Sequence, residues 1–237
     1  MTQIKEIDYT KVYVVIPAFN EEQSIGKVIH DIPFVPRQNI IVVNNGSTDS
    51  TQKVIEEAGA IALFESRKGY GWACLKGCEY VEKMNGETVV FLDGDYSDYP
   101  EQLPDVIAPI YEQNMDLVIG SRALGSREEG SMTVPQHFGN WLASKLLKIF
   151  YKVNYTDLGP FRAIRFESYK ALCMSDKTYG WTIEMQIKAA QKRMNYCEVP
   201  VDYKARIGVS KVSGTIKGAV MAGIKIIFAV FKYKFTK

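Results

Sequence analysis

Residues 89–103 read VVFLDGDYSDYPEQL: an apolar run, two aspartates around a glycine, then a Pro-containing helix start. In extended backbone successive side chains alternate in direction, so Asp93 and Asp95 leave the same face at the end of the strand. Carboxylates that close repel one another unless something positive lies between them. Two of them suit one hard divalent cation, Mg²⁺ or Mn²⁺, with coordination positions left open for ligand oxygens. Gly94 lets that ligand approach the backbone. A D-x-D triplet alone is common in surface turns; the buried strand before it gives this one weight. Asp98, ahead of Tyr99 and Pro100, reads instead as a helix-capping residue.

Working outward, strand and helix alternate on both sides of this stretch. KVYVVIPAFN (11–20) is a strand, and residues 21–32 read as a helix opened by the acids Glu21 and Glu22. NIIVVNNGSTDS (39–50) is a strand and a polar turn, followed by a helix over 51–59, a short strand over 60–66 and a helix over 69–84. Beyond the aspartates come a helix over 100–114 and a strand over 115–122. Strands that are apolar throughout predict burial on both faces, hence an α/β fold with a mainly parallel central sheet flanked by helices. In such sheets ligands bind beyond the carboxyl ends of the strands, where Asn20, Asn44, Asp93 and Ser121 fall. The second half is less regular. Residues 123–136 read as a mobile loop able to close over substrate, and apolar or amphipathic helices over 138–153 and 179–194 precede a strand over 197–203. No linker or repeat divides the chain, so one domain is expected over 1–211, with a basic amphipathic helix over 212–237.

Basic and acidic residues nearly cancel, 29 against 27 in 237, which argues against nucleic acid as a partner. Cys74 and Cys78 share a helix face but lack further metal ligands nearby; with Cys173 and Cys197 they read as reduced thiols of a cytoplasmic protein. The N-terminus is charged and has no signal-peptide pattern. The apolar run 219–231 is 13 residues long and contains Lys225, whereas a bilayer span needs about 20. Residues 213–237 carry lysines and no acid, so they suit either the inner face of the cell membrane or packing within the protein or a homo-oligomer.

With VVIPAFNEE (14–22) and VVNNGSTDST (42–51), the D-x-D stretch resembles the family 2 glycosyltransferases of the GT-A fold, and especially the dolichol- and polyprenyl-phosphate sugar transferases. The resemblance covers about residues 11–211 and implies an inverting, metal-dependent transfer from a UDP- or GDP-sugar to an acceptor, foremost a polyprenyl phosphate. It places Pro17, Ala18, Asn20 and Glu21 in the nucleotide pocket, although Glu21 also suits a helix N-terminus. Asn44, beside Asn45, stands where relatives usually carry an acid that contacts base or ribose, and Ser97 where they commonly have Gln. Arg67 and Lys68, ahead of a helix start, are candidates to meet a phosphate, as is Arg122 beyond the metal site.

YTDLGPFRAIR (155–165) resembles the family's D-x-x-S-G-F-R segment, which makes Asp157 a candidate base or orienting group. Glu184 is its competitor, an ion pair of Asp157 with Arg162 is the structural alternative, and an acceptor already ionised needs no strong base. His137 is a further candidate near an acceptor phosphate, and His30 reads as ordinary surface. YKARIGVSKVSG (203–214) resembles the family's R-x-G-x-S-K segment, so Arg206 and Lys211 are expected to stabilise the departing nucleoside diphosphate. Transfer to a soluble or polysaccharide acceptor is the nearest rival, and a noncatalytic nucleotide-sugar binder the rival of another class. A dinucleotide-binding dehydrogenase would need a G-x-G-x-x-G after the first strand, where IPAFNEE stands instead.

Overall fold

A computed structural model describes residues 7–208 and 216–235. Strand and helix alternate through β1 (Val12–Ala18), α1 (Ile25–Asp31), β2 (Ile40–Asn44), α2 (Thr51–Glu57), β3 (Ile61–Phe64) and α3 (Tyr70–Lys83). The alternation continues with β4 (Thr88–Phe91), α4 (Leu103–Glu112), β5 (Leu117–Ser121), α5 (Val134–Tyr151) and β6 (Arg162–Arg165). Two helices, α6 (Phe166–Leu172) and α7 (Trp181–Gln191), lead to β7 (Tyr196–Pro200) and α8 (Ile216–Phe235).

The seven strands lie in the order β3-β2-β1-β4-β6-β5-β7, parallel except that β6 runs antiparallel to both its neighbours. The chain leaves β5 at the sheet's carboxyl edge, passes through α5, and re-enters at that same edge to form β6. Leu158 and Pro160 therefore sit at that edge, next to the tip of β4. The apolar strands are explained by their two-sided burial. Val15, Val43, Phe91 and Ile119 face one core with α3 and α7, whereas Val14, Val42, Val90 and Val118 face the other with α1 and α4. Each such side chain contributes about 1.5–3 kcal/mol when fully buried.

Two local expectations change. Glu21 and Glu22 precede α1 instead of opening it, and the Glu22 carboxylate accepts from the Ser50 N–H at 2.8 Å, at the start of α2. That N–H has no partner within its own helix, so the acid serves the neighbouring helix. Asp98 caps nothing; it is buried and bridges in backbone to Tyr203, while Tyr99 and Gln102 hold the cap positions. The segment read as a mobile loop is partly fixed. Ser126 and Glu128 bond the backbone around Tyr203, and a Thr133–Gln136 capping box starts α5.

Helix α8 packs on α5 and α7. The Tyr151 hydroxyl donates to the Val230 carbonyl at 2.7 Å, and the Tyr233 hydroxyl donates to Glu184 at 2.7 Å. Among the described residues no helix is long and apolar enough to cross a membrane.

Candidate active site

At the carboxyl edge of the sheet a cavity of about 860 Å³ opens between the strand tips, α5 and α8. That is the size of a site for a substantial ligand. Its floor is polar: Pro17, Ala18 and Glu21 from the end of β1, Asp93, Gly94 and Asp95 from the end of β4. Asn45, Lys68, Arg122 and Arg206 also line it. These ten positions, scattered from 17 to 206 in the sequence, line one cavity.

The two aspartates reach the floor from a turn, because β4 ends at Phe91 and Tyr96 adopts a φ of 61°. The turn lies against β1, and a Cβ on Gly94 would stand 3.3 Å from the Pro17 carbonyl oxygen. Asp95 is buried; the Ser97 N–H and hydroxyl both donate to its Oδ1, and the Arg206 guanidinium lies 2.7 Å from its Oδ2. Arg206 also stands 3.8 Å from Glu21. Asp93 accepts from the Tyr70 hydroxyl at 3.1 Å. Burial first, and then the charge of Asp95, push the Asp93 carboxyl up to about 7. A pair in which one carboxylate holds the other's proton on near neutral pH is a pair short of positive charge. Its oxygens are the right donors for a hard divalent cation. Among the described residues no cluster of three or more Asp, Glu, His or Cys is poised around a metal position. The remaining ligands of such a cation would come from phosphate oxygens or water.

The loops after β1, β2 and β3 are tied together by amides. Asn20, itself at φ 56°, accepts from the Thr48 N–H, and Asn44 accepts from the Ser47 N–H while donating to Gln52 at 2.9 Å. Asn44 is buried and braces its own turn; neither it nor Asn20 lines the main cavity. Asn45 does both. Its amide donates to the carbonyls of Glu65 and Arg67 and accepts from the Gly69 N–H at 2.8 Å, which sets Lys68 at the cavity wall. Gly69 is required there: its φ is 146°, and a Cβ would lie 2.2 Å from the Lys177 carbonyl oxygen. Arg67 turns away, paired with Glu65 at 2.6 Å and stacked on Trp72.

Asp157 is buried behind Arg122 in a two-point ion pair, 2.7 and 2.8 Å. Arg162, the partner considered as the structural alternative, instead donates to the carbonyls of Leu158, Gly159 and Thr182. Burial alone would raise the Asp157 carboxyl, but the Arg122 charge and hydrogen bonds outweigh it and hold it below its ordinary value. Glu184 lies outside the cavity, fully buried, where it accepts from Ser175, Asp176 and Tyr233 and pairs with Lys188 at 2.7 Å. Burial works to raise its carboxyl too, yet these partners leave it lowered. Glu184→Gln should therefore destabilise the fold by about 1–3 kcal/mol with kcat unchanged. A carboxyl held below its unfolded value of 4.5 stabilises above that pH and loses the effect as pH falls through the folded value. The difference between variant and wild type in urea unfolding should thus shrink in acid. His137 stands exposed on α5 near Arg127, His30 is exposed beside Asp31, and Lys211 lies outside the described residues.

Several contributors carry no motif. Tyr70 opens α3 and holds Asp93; Tyr203 lies under the Arg122 guanidinium at 4.9 Å. Buried Asp98 has neither carboxylate oxygen bonded among the described residues, and burial followed by the Asp93 charge pushes its carboxyl well above the ordinary value. The far wall is apolar: Pro135, Phe138 and Leu142 of α5 face Ile224, Ile226 and Ile227 of α8.

The geometry has counterparts among known proteins. A sequence model described as Glycosyl transferase family 2 matches residues 13–173. An uncharacterised glycosyltransferase of Mycobacterium tuberculosis is 33% identical over 214 residues, covering 89% of this chain and 94% of the relative. An undecaprenyl-phosphate mannosyltransferase of Micrococcus luteus is 27% identical over 226 residues, covering 90% and 92%. The fold matches the crystal structure of glucosyl-3-phosphoglycerate synthase from Mycobacterium tuberculosis with Mn²⁺, UDP-glucose and phosphoglyceric acid. The TM-score is 0.74 at 22% identity, covering 95% of this chain and 80% of that one. This chain belongs to glycosyltransferase family 2, with the GT-A fold that the motifs predict.

Proposed function

We propose that the chain is an inverting, metal-dependent glycosyltransferase that moves a sugar from a UDP- or GDP-sugar to a polyprenyl phosphate. The observation that carries this reading is the division of one cavity into a charged floor and an apolar wall. Asp93 and Asp95 would hold Mg²⁺ or Mn²⁺, which supplies positive charge to the donor's diphosphate. Lys68 and Arg122 line the floor as cationic contacts for phosphate oxygens. Arg206, now on Asp95, is within reach of the same floor and neutralises charge that develops on the leaving group. The mycobacterial synthase, crystallised with Mn²⁺ and UDP-glucose, supports the donor half, and the Micrococcus enzyme, named for undecaprenyl phosphate, supports the acceptor half.

A phosphate acceptor also fits the carboxylates that are present. Among the described residues Glu21, Asp93 and Asp95 are the acids lining the cavity. Asp157 is committed to Arg122, and Glu184 to the α7–α8 contact. An acceptor that arrives as an anion needs neither as a base. The apolar wall favours an isoprenoid chain next to that phosphate over a small soluble acceptor.

The test is transfer of labelled sugar from UDP- and GDP-sugars to polyprenyl phosphate in detergent, with Mn²⁺ or EDTA. Label should enter the organic phase from one donor, in the presence of the metal, with inverted anomeric configuration. Label in water-soluble products alone would contradict the acceptor.

A further inference from the structure

Apolar side chains of α5 and α8 extend beyond the cavity. Among the described residues fourteen large hydrophobic side chains are exposed, and nine lie on these two helices. Along α5 they are Val134, Phe138, Trp141 and Ile149; along α8 they are Ile224, Ile227, Phe228, Phe231 and Phe235. Both sets recur at helical spacing, so each forms one stripe. The stripes are held side by side, since Phe150 meets Phe231 edge-on at 5.1 Å and Tyr151 bonds the Val230 carbonyl. The core faces of the same helices are already satisfied by buried Ala143, Leu147, Ala229 and Val230. An apolar surface this concentrated marks a contact site. It also borders the cavity mouth, because Phe138, Ile224 and Ile227 belong to both.

Charge selects the occupant. The segments 134–151 and 216–235 contain lysines at 145, 148, 217, 225, 232 and 234, and no Asp or Glu. Lys145, Lys148, Lys232 and Lys234 are exposed. A second copy docked face to face would set lysines against lysines, since a twofold contact pairs a patch with itself. An anionic lipid surface complements both features, with apolar rings entering the acyl boundary and ammonium groups meeting lipid phosphates.

We infer that the α5–α8 face seats the protein on an anionic bilayer, with Trp141, Phe228 and Phe235 at the headgroup level and the cavity mouth against the membrane. This rests on the lipid-phosphate reading of the acceptor for its purpose: an acceptor anchored by its chain would then enter between the two helices without crossing water.

The experiment is sedimentation of the full chain with vesicles of phosphatidylcholine, and of phosphatidylcholine mixed with phosphatidylglycerol, containing neither polyprenyl phosphate nor sugar nucleotide. Wild type should pellet with the anionic vesicles, less so at high salt, and its tryptophan emission, which includes that of exposed Trp141, should shift to the blue. Phe228→Glu/Phe235→Glu should bind about tenfold more weakly. These two side chains are exposed and do not line the cavity, so transfer to a short-chain acceptor in detergent should persist and report an intact fold. Wild type left in the supernatant, or a double variant that pellets equally well, would overturn the inference. So would light scattering that shows a dimer split by the variant. Because the vesicles lack both substrates, a failure here leaves the acceptor reading standing, and absent transfer with normal vesicle binding does the reverse.

Discussion

Asp95→Asn should lower the rate of sugar transfer by about 10²–10³-fold, the usual effect of removing one charge-stabilising group from a preorganised site. The asparagine keeps the shape and still accepts the Ser97 N–H and hydroxyl, which now meet Asp95 Oδ1 at 3.0 and 2.5 Å. What disappears is the negative charge that faces Arg206 and would hold a divalent cation. Mn²⁺ affinity, read by titration in the presence of UDP, should fall with the rate. Equal rates for variant and wild type at saturating metal would remove Asp95 from the metal site.

The largest loss of stability is expected at Asp157→Ala. The substitution strands a guanidinium whose side chain is only 11% exposed and whose Nε and one Nη donate to that carboxylate. Breaking a buried ion pair by removing one partner costs about 3–5 kcal/mol. For a chain of this size that lowers the melting temperature by about 10 °C, at about 2–4 °C per kcal/mol. The pH dependence has a definite sign. Arg122 holds the Asp157 carboxyl below its ordinary value of 3.8 in the fold, so its stabilisation is present above that pH and fades as pH falls through the folded value. Wild type and variant should converge in acid. A variant as stable as wild type at neutral pH would show that the pair is dispensable.

The sheet was legible because two-sided burial leaves an unambiguous trace: uniformly apolar runs such as Val89–Val90–Phe91, bounded by polar tips. The cavity floor was legible for the same reason, since its residues follow those strands directly. Pairings across the chain were not. Nothing local to Asp157 tells whether Arg162, five residues on, or Arg122, 35 residues back, will meet it. The backbone decides, because β6 runs antiparallel into the sheet and turns Arg162 toward three carbonyls. Asn44 misleads for a related reason: an amide at a strand tip can bond a base or its own turn with equal chemistry, and here the turn takes it. Glu184 sits on an amphipathic helix, and its burial became visible only once Tyr233 of α8 covered it. The α8 sequence is apolar enough that a membrane face and a packing face read alike; the structure shows Ala229 and Val230 turned inward and Phe228 and Phe235 outward.

Whether Asp93 and Asp95 bind a sugar nucleotide through a cation is tested most directly by thermal unfolding with UDP-, GDP- and dTDP-sugars, with and without Mn²⁺, on wild type and Asp95→Asn. A ligand that binds the native state alone raises the melting temperature, by an amount equivalent to about 2.7 kcal/mol at a hundredfold excess over Kd. The predicted result is a rise with a UDP- or GDP-sugar that requires Mn²⁺ and vanishes in Asp95→Asn. An equal rise without metal, or one undiminished in the variant, would contradict it.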